Sequence, residues 1–157
     1  MARLQAVEFR KCFRLDFATV ARGHHIYKKV WKPVVGETLL CHHDEREEAK
    51  LYNDYAIGIY LHGDQGCHEQ LVCHLPIELS FLLCKFLDRQ GCNLRFSPTG
   101  ARMLEDGLVV PGTYTALSDS RGLLETLKTE LDKKMLTLKH MKLEVGNIST
   151  KYIMSYH

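Results

Sequence analysis

Cysteine and histidine are the residues here with the most chemistry to offer, and they fall side by side in Cys41-His42-His43, Cys67-His68 and Cys73-His74. The chain holds six cysteines and nine histidines, enough on composition for a metal centre or for a thiol nucleophile with an imidazole base. Their spacing argues against both. Adjacent strand residues point to opposite faces, so none of these pairs chelates one ion by itself. There is no CxxC pair, and no elbow, oxyanion loop or third orienting residue accompanies any cysteine. The acids gather at Asp44 to Glu48, which reads as a solvated loop. A phosphate-cradling glycine loop of the P-loop or dinucleotide type is also missing. The expectation is therefore a non-catalytic chain without metal or cofactor. No three Cys, His and acidic side chains are expected to meet in one pocket.

A second chemistry is the stacking of flat groups. The stretch 52–60 begins as a polar, aromatic turn and becomes a strand at Ala56. Ile57 and Ile59 fall on one face of that strand, and Ala56, Gly58 and Tyr60 on the other. A small-residue face fed by a turn is a place to hold something flat, or else Gly58 marks a bulge or packing contact. Charge is uneven along the chain. Residues 1–33 hold eight bases (Arg3, Arg10, Lys11, Arg14, Arg22, Lys28, Lys29, Lys32) against Glu8 and Asp16, whereas 44–50 hold four acids against two bases. Such a split steers an anionic partner to the N-terminal third, or simply solvates the outside of a strand.

The elements that position these residues follow from periodicity. Phe13, Leu15 and Phe17 alternate as a strand, 24–31 forms a second, 38–41 a short third, and 56–60 a fourth. Gly63 and Gly66 turn the chain back into 70–74. Pro76 opens a helix as its first residue. Ile77, Phe81, Cys84 and Leu87/Asp88 track its buried face, widened by Leu82, Leu83 and Phe86, and Gln90-Gly91 ends it. Residues 92–96 and 108–110 are strands, and 113–117 another, broken from the last at Pro111-Gly112. Ser118-Asp119-Ser120 cap the longest helix, about 120–145, with Leu124, Leu131, Leu138 and Val145 recurring every seven residues. Glu130 and Lys134 support it as an i,i+4 pair. The tail 146–157 adds an edge strand. This order predicts one mainly β domain with helices (α+β): a small OB-like, partly open barrel with an inserted helix and a long C-terminal helix.

A chain of 157 residues with 45% hydrophobic and 25% charged content suits a single globular domain. No apolar run nears the roughly 18 residues of a membrane span, and residues 1–8 lack the apolar core of a secretory signal. Scattered cysteines suit reduced thiols, hence an intracellular setting in the nucleus or cytosol. A net charge of +2 does not by itself announce a nucleic-acid binder.

Four blocks stand in a familiar order: Arg22-Gly23-His24-His25-Ile26-Tyr27 running to Val30, the strand 38–41, Tyr52-Asn53-x-x-Ala56-Ile57, and Val72-Cys73-His74-Leu75-Pro76-Ile77-Glu78-Leu79-Ser80. Together they resemble the HIRAN domain, especially HIRAN-like domains of animal proteins, over about 22–114. The resemblance implies an OB-like barrel that holds the unpaired 3′ end of single-stranded DNA, in the nucleus. An aromatic ring would stack on a base, worth about 1–3 kcal/mol, and polar groups would clamp the last nucleotide. His25, Ile26 and Tyr27 stand where the family pattern has an arginine and two tyrosines. Lys50 and Leu51 replace the Asn-Pro of N-P-Y-D, Tyr52 is kept, and Asn53 replaces the aspartate. Cys73 replaces the glycine of V-G-H between Val72 and His74. The implied nucleic-acid-binding set is His25, Tyr27, Lys28, Lys50, Tyr52, Asn53, Val72, Cys73 and His74. Tyr27 and Tyr52 would stack, and Lys28, Lys29 and Lys32 would touch phosphates. His74 is read first as closing a hydrogen bond between strand and helix. The departures leave a second reading open, a protein-interaction adaptor or self-associating domain that uses helix 120–145.

Overall fold

The computed structural model describes residues 7–23, 31–51, 53–62, 69–101, 103, 109–139 and 141–156. The expected strand over 24–31 (Trp31 apart), the turn at 63–66, and the candidates His25, Tyr27, Lys28, Lys29 and Tyr52 lie outside them.

The first strand, β1 (Val7–Arg22), spans 16 residues. Leu15, Phe17, Thr19 and Ala21 are buried at period two while their neighbours are half exposed, the signature of a strand with one face on a core. It is followed by β2 (Leu39–His43), the short α1 (Glu47–Lys50), β3 (Ile57–Leu61), β4 (Gln70–His74), α2 (Ile77–Leu87), β5 (Cys92–Pro98), β6 (Val109–Ser118), α3 (Arg121–Thr137), β7 (Glu144–Val145) and β8 (Ser149–Tyr156). The strands order as β4-β3-β2-β5-β6-β1, and Arg22 of β1 pairs His74 of β4 to bring the ends together. Among the described residues the chain is thus mainly β, with three helices around a partly closed ring of antiparallel strands, the partly open α+β barrel that the strand count predicts.

Phe17, Phe96 and Tyr114 form the aromatic centre. Phe17 and Tyr114 stack at 5.1 Å, and Phe96 meets Tyr114 at 4.7 Å. The buried Tyr114 hydroxyl donates to the Val20 carbonyl at 2.9 Å, which removes the cost of an unpaired polar group. Leu79 and Leu83 of α2 and Leu124 and Leu131 of α3 close the core from outside.

Four expectations are corrected. First, Pro111-Gly112 does not break a strand, because β6 runs through both. The Pro111 carbonyl accepts from Thr99 N–H. The missing proline donor points the same way, just beyond the last paired residue of β5, so only the reciprocal bond at the end of that ladder is forgone. Gly112 is required by the Phe96 ring, whose edge lies 2.3 Å from where a Cβ would sit. Second, α3 ends at Thr137, and Leu138 is already extended. The remaining apolar repeat serves a different geometry: Leu143 enters the core and Val145 pairs with Phe17. Glu130 takes Lys133 at 3.3 Å instead of Lys134. Third, Pro76 stands one position ahead of α2 as its N-cap. Fourth, the buried face of α2 is Leu79, Ser80, Leu83, Cys84 and Phe86, leaving Ile77 and Phe81 more than half exposed. Both faces of this helix are apolar, so periodicity does not choose between them.

The tail forms an edge strand as expected. Among the described residues, β8 pairs only with β1, from Val7↔Tyr156 to Arg14↔Ser149.

Gly112→Ala is expected to cost about 1–3 kcal/mol, the range for forcing extra volume into a packed core. Urea unfolding measures it, and a loss below about 0.5 kcal/mol, the scale of a neutral surface change, would contradict the packing described.

Candidate nucleic-acid interface

The sequence from β2 to β3 builds a compact turn around one acid. Asp44 follows β2, and its side chain is fully buried. Its oxygens accept from the Arg46 backbone N–H at 3.2 Å, from Arg46 Nε and Nη2 at 3.0 Å each, and from His74 Nε2 at 2.8 Å. Its own N–H donates to the Ala56 carbonyl at 2.9 Å. One residue therefore ties together the end of β2, the start of α1, the entry to β3 and the end of β4. Burial alone would raise the Asp44 pKa. The hydrogen bonds from Arg46 and His74, with the Arg46 charge, outweigh it and hold the carboxyl at about 2.

Beyond Asp44, α1 offers Glu47 and Glu48 in its first turn and Lys50 in its last. Asn53 N–H donates back to the Ala49 carbonyl at 2.9 Å, and the Asn53 side-chain oxygen accepts from Tyr55 N–H at 3.0 Å. This second contact is an Asx-turn. It aims Tyr55 at α2, where its ring meets Phe81 edge-on at 4.9 Å. Lys85, one turn further along, holds its ammonium 5.4 Å from the Phe81 ring centre, a cation–π distance. Tyr55 and Phe81 are 44% and 54% exposed. Between α2 and α3 a groove of about 450 Å³ begins at Phe81 and Lys85 and carries Arg89 and Lys134.

The implied site residues fare differently. Lys50 is exposed at the end of α1, and Asn53 is half-buried in the turn. Val72 and Cys73 lie in β4 at 0% exposure, so neither presents a side chain to a ligand. Cys73 takes the place of a glycine in the family pattern, and it packs into the core opposite Ile59. His74 is bound to Asp44, in the β2–α1 connection.

The small face at Gly58 does hold a flat group, and it is the chain's own. A Cβ at Gly58 would lie 2.7 Å from the Tyr60 ring, and Tyr60 stacks on His42 at 3.9 Å and 6°. The β3–β4 register also shifts between Ile59 and Tyr60, the irregularity that an in-strand glycine foretells.

Tyr55, Phe81 and Lys85 are the site residues that sequence reasoning missed. The available signal was the line Ile77–Phe81–Lys85 at i, i+4 and i+8, beside the more continuously apolar line through Leu79, Leu83 and Phe86.

The structure also overturns the expectation that no three Cys, His and acidic side chains meet. His43, Cys84 and Asp88 place their ligand atoms within 4.8 Å of one another. They converge because the end of β2 and the last turn of α2 line one cleft. Burial, and then the charge of Asp88, pushes the Cys84 thiol up, away from the thiolate that nucleophilic chemistry uses.

None of the family models, curated proteins or solved structures compared with this chain matches it. Among the described residues, no helix is long and apolar enough to cross a membrane.

Because the folded-state pKa of Asp44 is lowered, its contribution is present above the ordinary value of 3.8 and is lost as pH falls toward 2. At neutral pH this amounts to roughly 2 kcal/mol. Denaturant unfolding of Asp44→Asn should show a deficit against wild type that is full at pH 5–7 and narrows toward pH 2. A deficit independent of pH would exclude the buried ionised carboxylate.

Proposed function

We propose that this chain is a non-catalytic binding module for single-stranded DNA, consistent with its resemblance to HIRAN domains. The observation that carries the reading is the exposed Tyr55–Phe81 pair with Lys85 over one ring. It stands beside the turn that bears Lys50 and Asn53. Unpaired bases stack on such rings whatever their sequence, and a neighbouring ammonium offsets phosphate charge. Tyr52 precedes Asn53 in sequence and is the retained aromatic of the family block. Tyr27, Lys28 and His25 complete the set in this reading.

Electrostatics restricts the path of the strand. Glu47 and Glu48 repel a polyanion from the first turn of α1. Lys85, Arg89 and Lys134 outnumber Glu78 and Glu130 along the groove between α2 and α3, which favours that path. A nuclear location follows from this ligand. A second reading, an adaptor for another protein, draws on Leu51, Ile77 and Phe81, which are apolar and exposed. It does not draw on the stripe of α3, because Leu124 and Leu131 are fully buried against the domain itself.

Fluorescence anisotropy with short single-stranded oligonucleotides separates the two. Binding tighter than about 100 μM at low salt, weakening as salt rises, is expected of the DNA module. Phe81→Ala should lose about 1–3 kcal/mol of affinity, the worth of one stacked base. Absence of binding at low salt would refute the DNA reading. Binding indifferent to both Phe81→Ala and Tyr52→Ala would place the site elsewhere.

A further inference from the structure

Beside the last turn of α2, a cleft of about 310 Å³ opens between that turn and the end of β2. His43 enters from β2. Cys84 and Asp88 are four residues apart, joined by the Asp88 N–H to Cys84 carbonyl bond at 3.0 Å, and so lie on one helix face. His43 Nε2 and Cys84 Sγ are 3.4 Å apart. A tetrahedral zinc ion, at about 2.0–2.1 Å from nitrogen and 2.3 Å from sulfur, holds such a pair about 3.5 Å apart. Asp88 is exposed, so its carboxylate is free to close on an ion already held by the other two.

From this geometry we infer that His43, Cys84 and Asp88 bind a single zinc-type divalent ion. Thiolate and imidazole together select borderline-soft metals over magnesium or calcium. Two negative ligands, Cys84 thiolate and Asp88 carboxylate, balance the charge of the ion. On binding, the Cys84 S–H bond gives its proton to solvent and a metal–sulfur bond replaces it. The C-terminal end of an 11-residue helix adds the negative end of its dipole. Lys85, three residues before Asp88, is engaged over the Phe81 ring. The fourth position faces the cleft beside Leu87 and Asn93, leaving it to water or an incoming donor. The same ion would brace α2 against β2.

The test uses the full, reduced, chelator-treated chain titrated with Co²⁺ and followed by absorbance. One equivalent should give a near-ultraviolet thiolate-to-cobalt band and intense visible bands of a tetrahedral ion, and Zn²⁺ should abolish both. Cys92→Ser should keep the spectrum, and Cys84→Ser should lose the charge-transfer band. Because Cys84 lies in the core, its variant is read alongside circular dichroism. Asp88→Asn, at an exposed position, should leave the fold intact and weaken Co²⁺ by at least about tenfold, as loss of even a supporting group does. A charge-transfer band that survives Cys84→Ser, affinity unmoved by Asp88→Asn, or no binding at one equivalent would each overturn the site. DNA binding plays no part in these readouts.

Discussion

Asp44 carries a full negative charge into a place closed to water, and the chain around it is arranged to offset that cost. A buried carboxylate without partners would take up a proton or unfold its surroundings. Here Arg46 supplies a two-nitrogen fork and a backbone N–H, and His74 supplies a ring nitrogen from β4. Four segments are thereby held at one point, because Asp44 N–H also bonds to Ala56 at the entry to β3. This is also where the barrel nearly closes, since His74 is the residue that pairs with Arg22 of β1. Removing one partner would leave that buried charge less well balanced.

The turn beyond Asp44 inherits its rigidity from that point. Asn53 then fixes Tyr55 by an Asx-turn, and Tyr55 leans on Phe81. The rings are exposed, yet they hang from backbone that is tightly bonded, which lowers the entropy lost when a ligand stacks on them. Helix α2 has a distinct role on each side. Its outer line presents Phe81 and Lys85, its inner line fills the core with Leu79 and Leu83, and its last turn carries Cys84 and Asp88 beside His43.

Much of the fold was legible from the sequence because alternation and capping are local. Leu15 and Phe17, Ile57 and Ile59, and Leu94 and Phe96 all point inward as their period demands. Ser120 caps α3 by accepting from Leu123 N–H, as its position before the apolar repeat implies. What was not legible depends on contacts between distant segments. Pro111 reads as a strand breaker until Thr99 is seen to use its carbonyl, and the heptad through Leu138 and Val145 reads as helix until β1 offers Val145 a partner. The site was the least legible part. Phe81 looks like core on periodicity, and His43, Cys84 and Asp88 are separated by about forty residues or by a helical turn. Their convergence exists only once the last turn of α2 stands across the cleft from the end of β2.

The central claim, that the turn braced by Asp44 presents a stacking surface for unpaired bases, is tested most directly by locating the bound strand. A ¹H–¹⁵N NMR titration of the labelled chain with a short single-stranded oligonucleotide does this residue by residue. The account predicts that the largest shifts fall on Lys50, Asn53, Tyr55, Phe81 and Lys85, while the edge strand around Tyr152 stays unmoved. Shifts concentrated on β8, or none at saturating oligonucleotide, would contradict it.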